Sequence, residues 1–438
     1  MLPVIGAGAL SDLLGVPRNH ESVRWWIGTI LWSAALAGGI FGLLGGWMID
    51  RFGRKRIMVA SILMYSLSPM AAAFSTDVYQ FVFFRCTTFI GVCVEMVAAV
   101  TWLAELFPDK RTRERAIAWS LAAASLGGLL VTVVDQQIVA LAPSLPAIPT
   151  ATGASAHAPW RYTLISGLIP GALILMLMPF VPESQVWREK KLAGTLQRPS
   201  FGELFSPGLR RTTIVTTILS ACGYAAAFGA LQVTPAQIIL GRAEIGGPMA
   251  EARKADAAAK TDDEKAAAKK QLAAATAGYE KHKSQIQLYQ EIGGLTGRIL
   301  LAVLVSMVPT RLLLRLFLVP GIALFPLTYF ELVTGDWMIF SIAIFFCGLL
   351  TVAQFSYLSE FLPKAFPLHL RGTGGSFATN VGGRMIGTMA ATLNTAVLAV
   401  QMGGGPLGVA KAAAIIGGAV YLIAFIASFF LPEPKHDQ

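Results

Sequence analysis

The chain has 438 residues, 55% of them hydrophobic and only 14% charged, with a mean hydropathy of +0.61. Soluble globular chains carry about 25% charged residues, so a water-soluble domain is excluded. The formal charge of +10 does not point to a nucleic-acid partner, because the basic residues stand in short clusters between long apolar runs.

Residues 1–16 (MLPVIGAGALSDLLGV) are apolar but too short to span a bilayer. They read as the end of a first helix whose beginning is missing; a signal peptide fits poorly, because no basic start precedes the apolar part. Apolar runs then predict spans at 25–49, 57–75, 78–104, 116–141 and 160–182, followed by a basic segment, 183–211. A second series follows at 212–240, 286–308, 313–333, 336–360, 372–399 and 407–432. Each is near or above the ~20 residues a helix needs to cross about 30 Å of hydrocarbon, where backbone groups must be satisfied within the segment. The fold class expected is an all-α polytopic membrane protein, with the lipid bilayer as its first partner.

Alternate loops are basic. Arg51, Arg54, Lys55 and Arg56 follow the second helix, and Lys110, Arg111, Arg113 and Arg115 follow the fourth. Segment 183–211 carries Arg188, Lys190, Lys191, Arg198, Arg210 and Arg211; Arg311, Arg315, Lys364 and Arg371 continue the pattern, whereas the intervening short loops hold Asp77, Glu331 and Asp336. The positive-inside rule puts the basic set and the C-terminal tail in the cytoplasm. Residues 241–285, rich in Ala, Lys and Glu, fall on the other side and predict a solvated helix or helical hairpin. The four cysteines lie inside apolar runs, with neither CxxC nor Cys/His spacing, so no metal or cofactor is expected.

The stretch GGWMIDRFGRKR (45–56) ends an apolar run of about 25 residues in a glycine-hinged basic cluster. Gly45 and Gly46 permit close helix approach, Asp50 suits a helix N-terminus or an arginine, and Gly53 permits a tight turn. The spacing from Gly46 to Lys55 resembles the signature loop of the major facilitator superfamily. WLAELFPDKRTRER (102–115), VPESQVWR (181–188) and FPLHLRGTGGSFATNVGGR (366–384) resemble three further motifs, closest to the sugar and metabolite porters of that family.

The resemblance implies two six-helix halves, 1–182 and 212–438, joined by 183–211 and alternately facing either side of the membrane. It implies a cytoplasmic gate of ion pairs from Gly46, Asp50, Arg51, Gly53, Arg54, Glu105, Arg113, Glu183 and Arg371. The matching loop of the second half, SMVPTRLLLR (306–315), lacks the Asp and Gly of its counterpart, and Lys364 stands where related loops often have an acid. Gating carried mainly by the first half is expected. The fifth helix lacks the Gly-Pro pair of drug antiporters, which lowers an efflux reading.

Ionisable residues within spans are functional candidates, since each costs about 2.5–3.5 kcal/mol at mid-helix. Glu95, with Arg85 and Asp135, is the candidate for proton coupling; the alternative for Glu95 is a structural pair with Arg298 or Arg384. Tyr224, Gln232, Glu291, Arg298, Gln354, Tyr357, Asn380 and Arg384 form a polar set that could hold a solute. The function expected is secondary transport of a small polar organic solute, a sugar or organic acid, by proton symport in a bacterial inner membrane as a monomer. Uniport, efflux and a transport-like sensor remain alternatives. An enzyme is not expected, because no nucleophile triad, phosphate loop or metal cluster is present.

Overall fold

A computed structural model of the chain describes residues 2–16, 21–107, 109–124, 126–151, 153–305 and 307–432. Pro108, Ser306 and the C-terminal tail, all used in the sequence reading, lie outside the described residues. The first series of helices is α1 (Leu2–Leu14), α2 (Glu21–Phe52), α3 (Arg54–Ala73), α4 (Val78–Leu106), α5 (Lys110–Ala124), α6 (Leu126–Leu141), α7 (Pro159–Ser166) and α8 (Leu168–Leu177). After α9 (Gln185–Leu192), the second series is α10 (Arg210–Ala226), α11 (Ala243–Ala258), α12 (Asp262–Leu304), α13 (Thr310–Pro326), α14 (Trp337–Ala365), α15 (Arg371–Ser376) and α16 (Gly405–Ser428). Among the described residues, eight helical stretches are long and apolar enough to cross a membrane, including Trp25–Phe52, Val78–Leu106 and Trp337–Ala365. Their outward faces carry exposed Trp25, Leu31, Phe41, Phe83, Leu173 and Met338, as lipid contact requires.

Local chemistry places the ends. Asp77 caps α4 by accepting from Gln80 N at 2.9 Å, and Ser184 caps α9 by accepting from Trp187 N at 3.2 Å. Gly53 separates α2 from α3 at φ 107°, a conformation that side chains resist.

Two expected spans take a different form. Residues 160–182 are divided between α7 and α8 at Gly167. The stretch 372–399 is only briefly α-helical: α15 passes into π turns at Phe377–Ile386 and Leu393–Leu398. Its glycines allow this, because the backbone can press directly on neighbouring chain; a Cβ on Gly382 would lie 2.5 Å from the Thr217 carbonyl oxygen.

The insertion is a pair of helices, α11 and α12, but no break separates it from the span expected at 286–308. α12 runs without interruption for 43 residues, since no glycine or proline stands between Gly278 and Gly293. A capping box of Thr261 and Glu264 starts it. Its Tyr279 hydroxyl donates to the Pro235 and Ala236 carbonyls at 3.3 and 3.2 Å, and burial pushes the phenol up to about 12. Arg242 fastens the base of the insertion, donating to Glu244 at 2.6 Å and to the Val333 and Gly335 carbonyls at 2.7 and 2.6 Å.

The chain divides into two compact units. One combines the described residues of Met1–Thr217 with Ser359–Met385 and Pro432; the other combines Ile218–Leu358 with Ile386–Leu431. In the first, α2 and α3 pack on α4 through small residues, and α1 closes a core of Ile5, Leu10, Ile30, Phe81, Trp160 and Leu164. Buried Arg161 ties this end together, donating to the Ala73 and Ser75 carbonyls at 2.6 and 3.0 Å and facing Asp12 at 3.5 Å. In the second unit, α13 and α16 interlock where Gly321 meets the Tyr421 ring and Gly417 the Phe325 ring.

Candidate functional site

A charge cluster built on Arg54 lies inside the first unit. Its guanidinium is fully buried and faces Glu105, with Nε 2.9 Å from Oε2 and Nη2 2.8 Å from Oε1. Nη1 donates to the Ile49 carbonyl at 3.1 Å and Nη2 to the Leu368 carbonyl at 3.0 Å; Asp50 Oδ1 stands 3.4 Å from Nη2. A buried arginine is tolerated only when its fork is matched in this way.

Asp50 does a second task. Its carboxylate accepts from Gly372 N at 3.0 Å, Thr373 N at 2.7 Å and Thr373 Oγ1 at 2.8 Å, at the start of α15. The anion meets unpaired backbone N–H groups there. Glu183 acts likewise at the start of α3, accepting from Arg54 N and Lys55 N at 3.1 Å each. A Cβ on Gly53 would lie 2.6 Å from Glu183 Oε2, and one on Gly46 would lie 2.5 Å from the Gly372 carbonyl oxygen. Arg371 Nη1 reaches Glu105 at 3.8 Å.

The structure thus brings together Gly46, Asp50, Gly53, Arg54, Glu105, Glu183 and Arg371. Arg51 is exposed and stacks on Trp47 at 5.1 Å, outside the cluster. Arg113 is half-buried near the start of α5.

Further along the same helices lies a deeper polar group. Arg384 donates from Nη1 to Asn380 Oδ1 at 2.9 Å, lies over the Phe89 ring at 5.4 Å, and approaches Met96 Sδ at 3.7 Å. Glu95 lies within electrostatic reach of Arg384, one of its two expected partners, but at about 100° per residue it points away from the α4 face of Phe89 and Met96 on which Arg384 rests; Arg298 belongs to the other unit. Between this group and the charge cluster is a cavity of about 20 Å³, lined by Met96, Val100, Thr101, Leu362, Arg371 and Gly375. It has room for about one water.

The other candidates are dispersed. Arg85 is half-buried on α4, and Asp135 accepts from Thr163 Oγ1 at 2.8 Å, an interhelical contact. In the second unit, Tyr224 meets Phe355 edge-on at 4.8 Å beside the buried Gln354, whose Nε2 has no partner among the described residues. Tyr357 is buried on the same helix, α14. Glu291 and Arg298, seven residues apart on α12, influence one another electrostatically, and Gln232 is exposed at the end of the π turn Ala227–Leu231.

Several participants were not anticipated. Ser184 donates to Glu105, Trp187 Nε1 donates to the Asp50 carbonyl at 2.9 Å, and Thr373 completes the Asp50 site. Glu360, buried and paired with Lys364, carries a legible signal: YLSEFLP (357–363) repeats WLAELFP (102–108), so Glu360 stands where the first series has Glu105. His369 also pairs with Glu203 at 2.9 Å.

Comparison with known proteins agrees with this architecture. Residues 3–250 match the model of the Major Facilitator Superfamily. The chain is 24% identical to the cis,cis-muconate transport protein of Acinetobacter baylyi, covering 100% of this chain and 94% of that one. It is 37% identical over 105 residues to the 4-hydroxybenzoate transporter PcaK of Pseudomonas aeruginosa, 24% of this chain and 22% of that one. The solved structure of the proton:xylose symporter XylE bound to 6-bromo-6-deoxy-D-glucose has the same fold, with a TM-score of 0.68 and 18% identity over 99% of this chain and 92% of that one. With more than half its length matched by the family model, the chain belongs to the Major Facilitator Superfamily and is an integral membrane secondary transporter, not an enzyme.

Proposed function

We propose that the chain is a proton-coupled symporter of a small organic acid. The observation that carries this reading is the buried Arg384 guanidinium within electrostatic reach of Glu95, in an apolar region where an ionisable group is costly. A solute carboxylate would take Arg384 as its partner, and Glu95 would take the proton. The muconate and 4-hydroxybenzoate transporters among its relatives, both carriers of carboxylates, support the acid over the sugar. The Arg54 cluster then acts as the cytoplasmic gate, closed here and weakened at each turnover. In this reading the halves are 1–182 and 212–438 with 183–211 as linker, in a bacterial inner membrane, as a monomer with a cytoplasmic C-terminus.

Uptake into proteoliposomes under an inward proton gradient tests the reading. Labelled cis,cis-muconate or 4-hydroxybenzoate should accumulate and xylose should not. Glu95→Gln should abolish gradient-driven uptake while sparing exchange, and Arg384→Ala should lower uptake of acid at least about 100-fold, the loss of one desolvated charge pair. Uptake indifferent to the gradient would replace symport by uniport; accumulation of xylose alone would reject the acid.

A further inference from the structure

Arg51 stays outside the Arg54 cluster, although the signature loop carries it next to Asp50. Its guanidinium sits instead in a corner made by two rings at the end of α2. The rings of Trp47 and Phe52 stand at 87° to one another with centroids 6.2 Å apart. The guanidinium carbon lies 5.1 Å from the first and 5.7 Å from the second. Trp47 is itself fixed, because its Nε1 donates to the Pro199 carbonyl at 3.1 Å. All of these residues belong to the first unit.

A ring face holds a guanidinium without using its N–H groups. Arginine has five of them, and no described residue accepts one from Arg51. The corner thus fixes the plane of the cation and leaves its fork open, the geometry that takes two oxygens of a phosphate or carboxylate. Its exposed neighbours Arg56 and Arg198 are cations too; Arg198 directly precedes Pro199. A ligand of net negative charge fits this surroundings best.

The helix surface beyond Arg51 distinguishes among such ligands. At about 100° per residue, Leu44 and Ile40 lie within about 20° of Arg51 around α2, and Met48 within about 60°. All three are exposed. Ile40 stands about 16 Å from Arg51 along the axis, close to the ~15 Å half-thickness of the hydrocarbon. An apolar stripe one leaflet long, ending in an open guanidinium, matches one phospholipid. A soluble anion would use only the fork, and an acidic protein segment would leave the stripe uncovered.

We propose that Trp47, Arg51 and Phe52 form a binding site for the phosphate of an anionic phospholipid, in the leaflet on the side of the basic loops. The acyl chain lies along Met48, Leu44 and Ile40. Asp50, the preceding residue, holds the start of α15, so an occupied site ties lipid composition to the charge cluster.

Native mass spectrometry of the purified protein, with phosphatidylglycerol or phosphatidylcholine of the same acyl chains added, measures the bound lipid. Phosphatidylglycerol should bind about fivefold tighter, the worth of one arginine at an anionic lipid surface. Arg51→Gln should abolish that preference, and Arg51→Lys should restore only part of it, because an ammonium has no planar fork. Trp47→Phe keeps a ring but frees it from Pro199, and should weaken the preference by less; it serves as the second variant if Arg51→Gln folds poorly. Equal binding of the two lipids, or an unchanged preference in a folded Arg51→Gln protein, overturns the proposal. Displacement of the lipid by millimolar inorganic phosphate also overturns it, in favour of a free oxyanion. No transport is read, so the test does not depend on the organic-acid reading.

Discussion

Arg54 uses its fork almost completely, on Glu105, the Ile49 carbonyl and the Leu368 carbonyl. Removing one partner of such a buried pair strands the other charge, at a cost of about 3–5 kcal/mol. Glu105→Gln should therefore lower the melting temperature and raise the reactivity of a thiol placed at Ser376; protection equal to the unaltered protein would show that the cluster does not hold this end closed. The spacing of GGWMIDRFGRKR and WLAELFPDKRTRER made Asp50, Arg54 and Glu105 legible, because charged residues at helix ends are few and stand out. Thr373, Ser184 and the Leu368 carbonyl were not legible. A hydroxyl or a carbonyl is present everywhere in a sequence, and only three-dimensional placement makes it a partner.

At the scale of elements, α2 and the 372–385 stretch form a seam. Gly39 meets Met385, Gly42 meets Asn380, Gly46 meets Ser376 and Gly372, and Asp50 closes the series on Gly372 and Thr373. Gly46→Leu should force the seam apart, and the same thiol-reactivity assay should report an opening larger than that of Glu105→Gln. The insertion helix makes a separate prediction. Glu264 accepts from Thr261 N and Lys260 N, which holds its carboxylate below the usual glutamate range. A lowered value stabilises the helix start above the ordinary carboxylate range, an effect lost as pH falls below about 4. Amide exchange near 262–266 should quicken on acidification, and Glu264→Ala should remove that dependence. The change from solvated to apolar sequence near residue 285 predicts a helix end, whereas α12 is continuous from Asp262 to Leu304. Backbone propensity does not change there, so the helix continues.

At the scale of the whole molecule, sidedness is the consequence to test. Thr195→Cys in the basic linker should react with a membrane-impermeant maleimide only after permeabilisation, and Ala273→Cys on the insertion should react in intact cells. The opposite pattern would reverse the assignment of sides. Background is low, since three native cysteines are buried and Cys86 is half-buried. The membrane class, the family and the residues of the Arg54 charge cluster could be read from the sequence alone, because hydrocarbon thickness imposes long charge-free runs and turns at their ends need glycine and charge in fixed order. The contacts of Arg384 with Asn380, Phe89 and Met96, and the π turns of 377–398, were decided by the tertiary structure. Those features join residues some 290 positions apart in the chain, and no local pattern records which faces of two distant helices will meet.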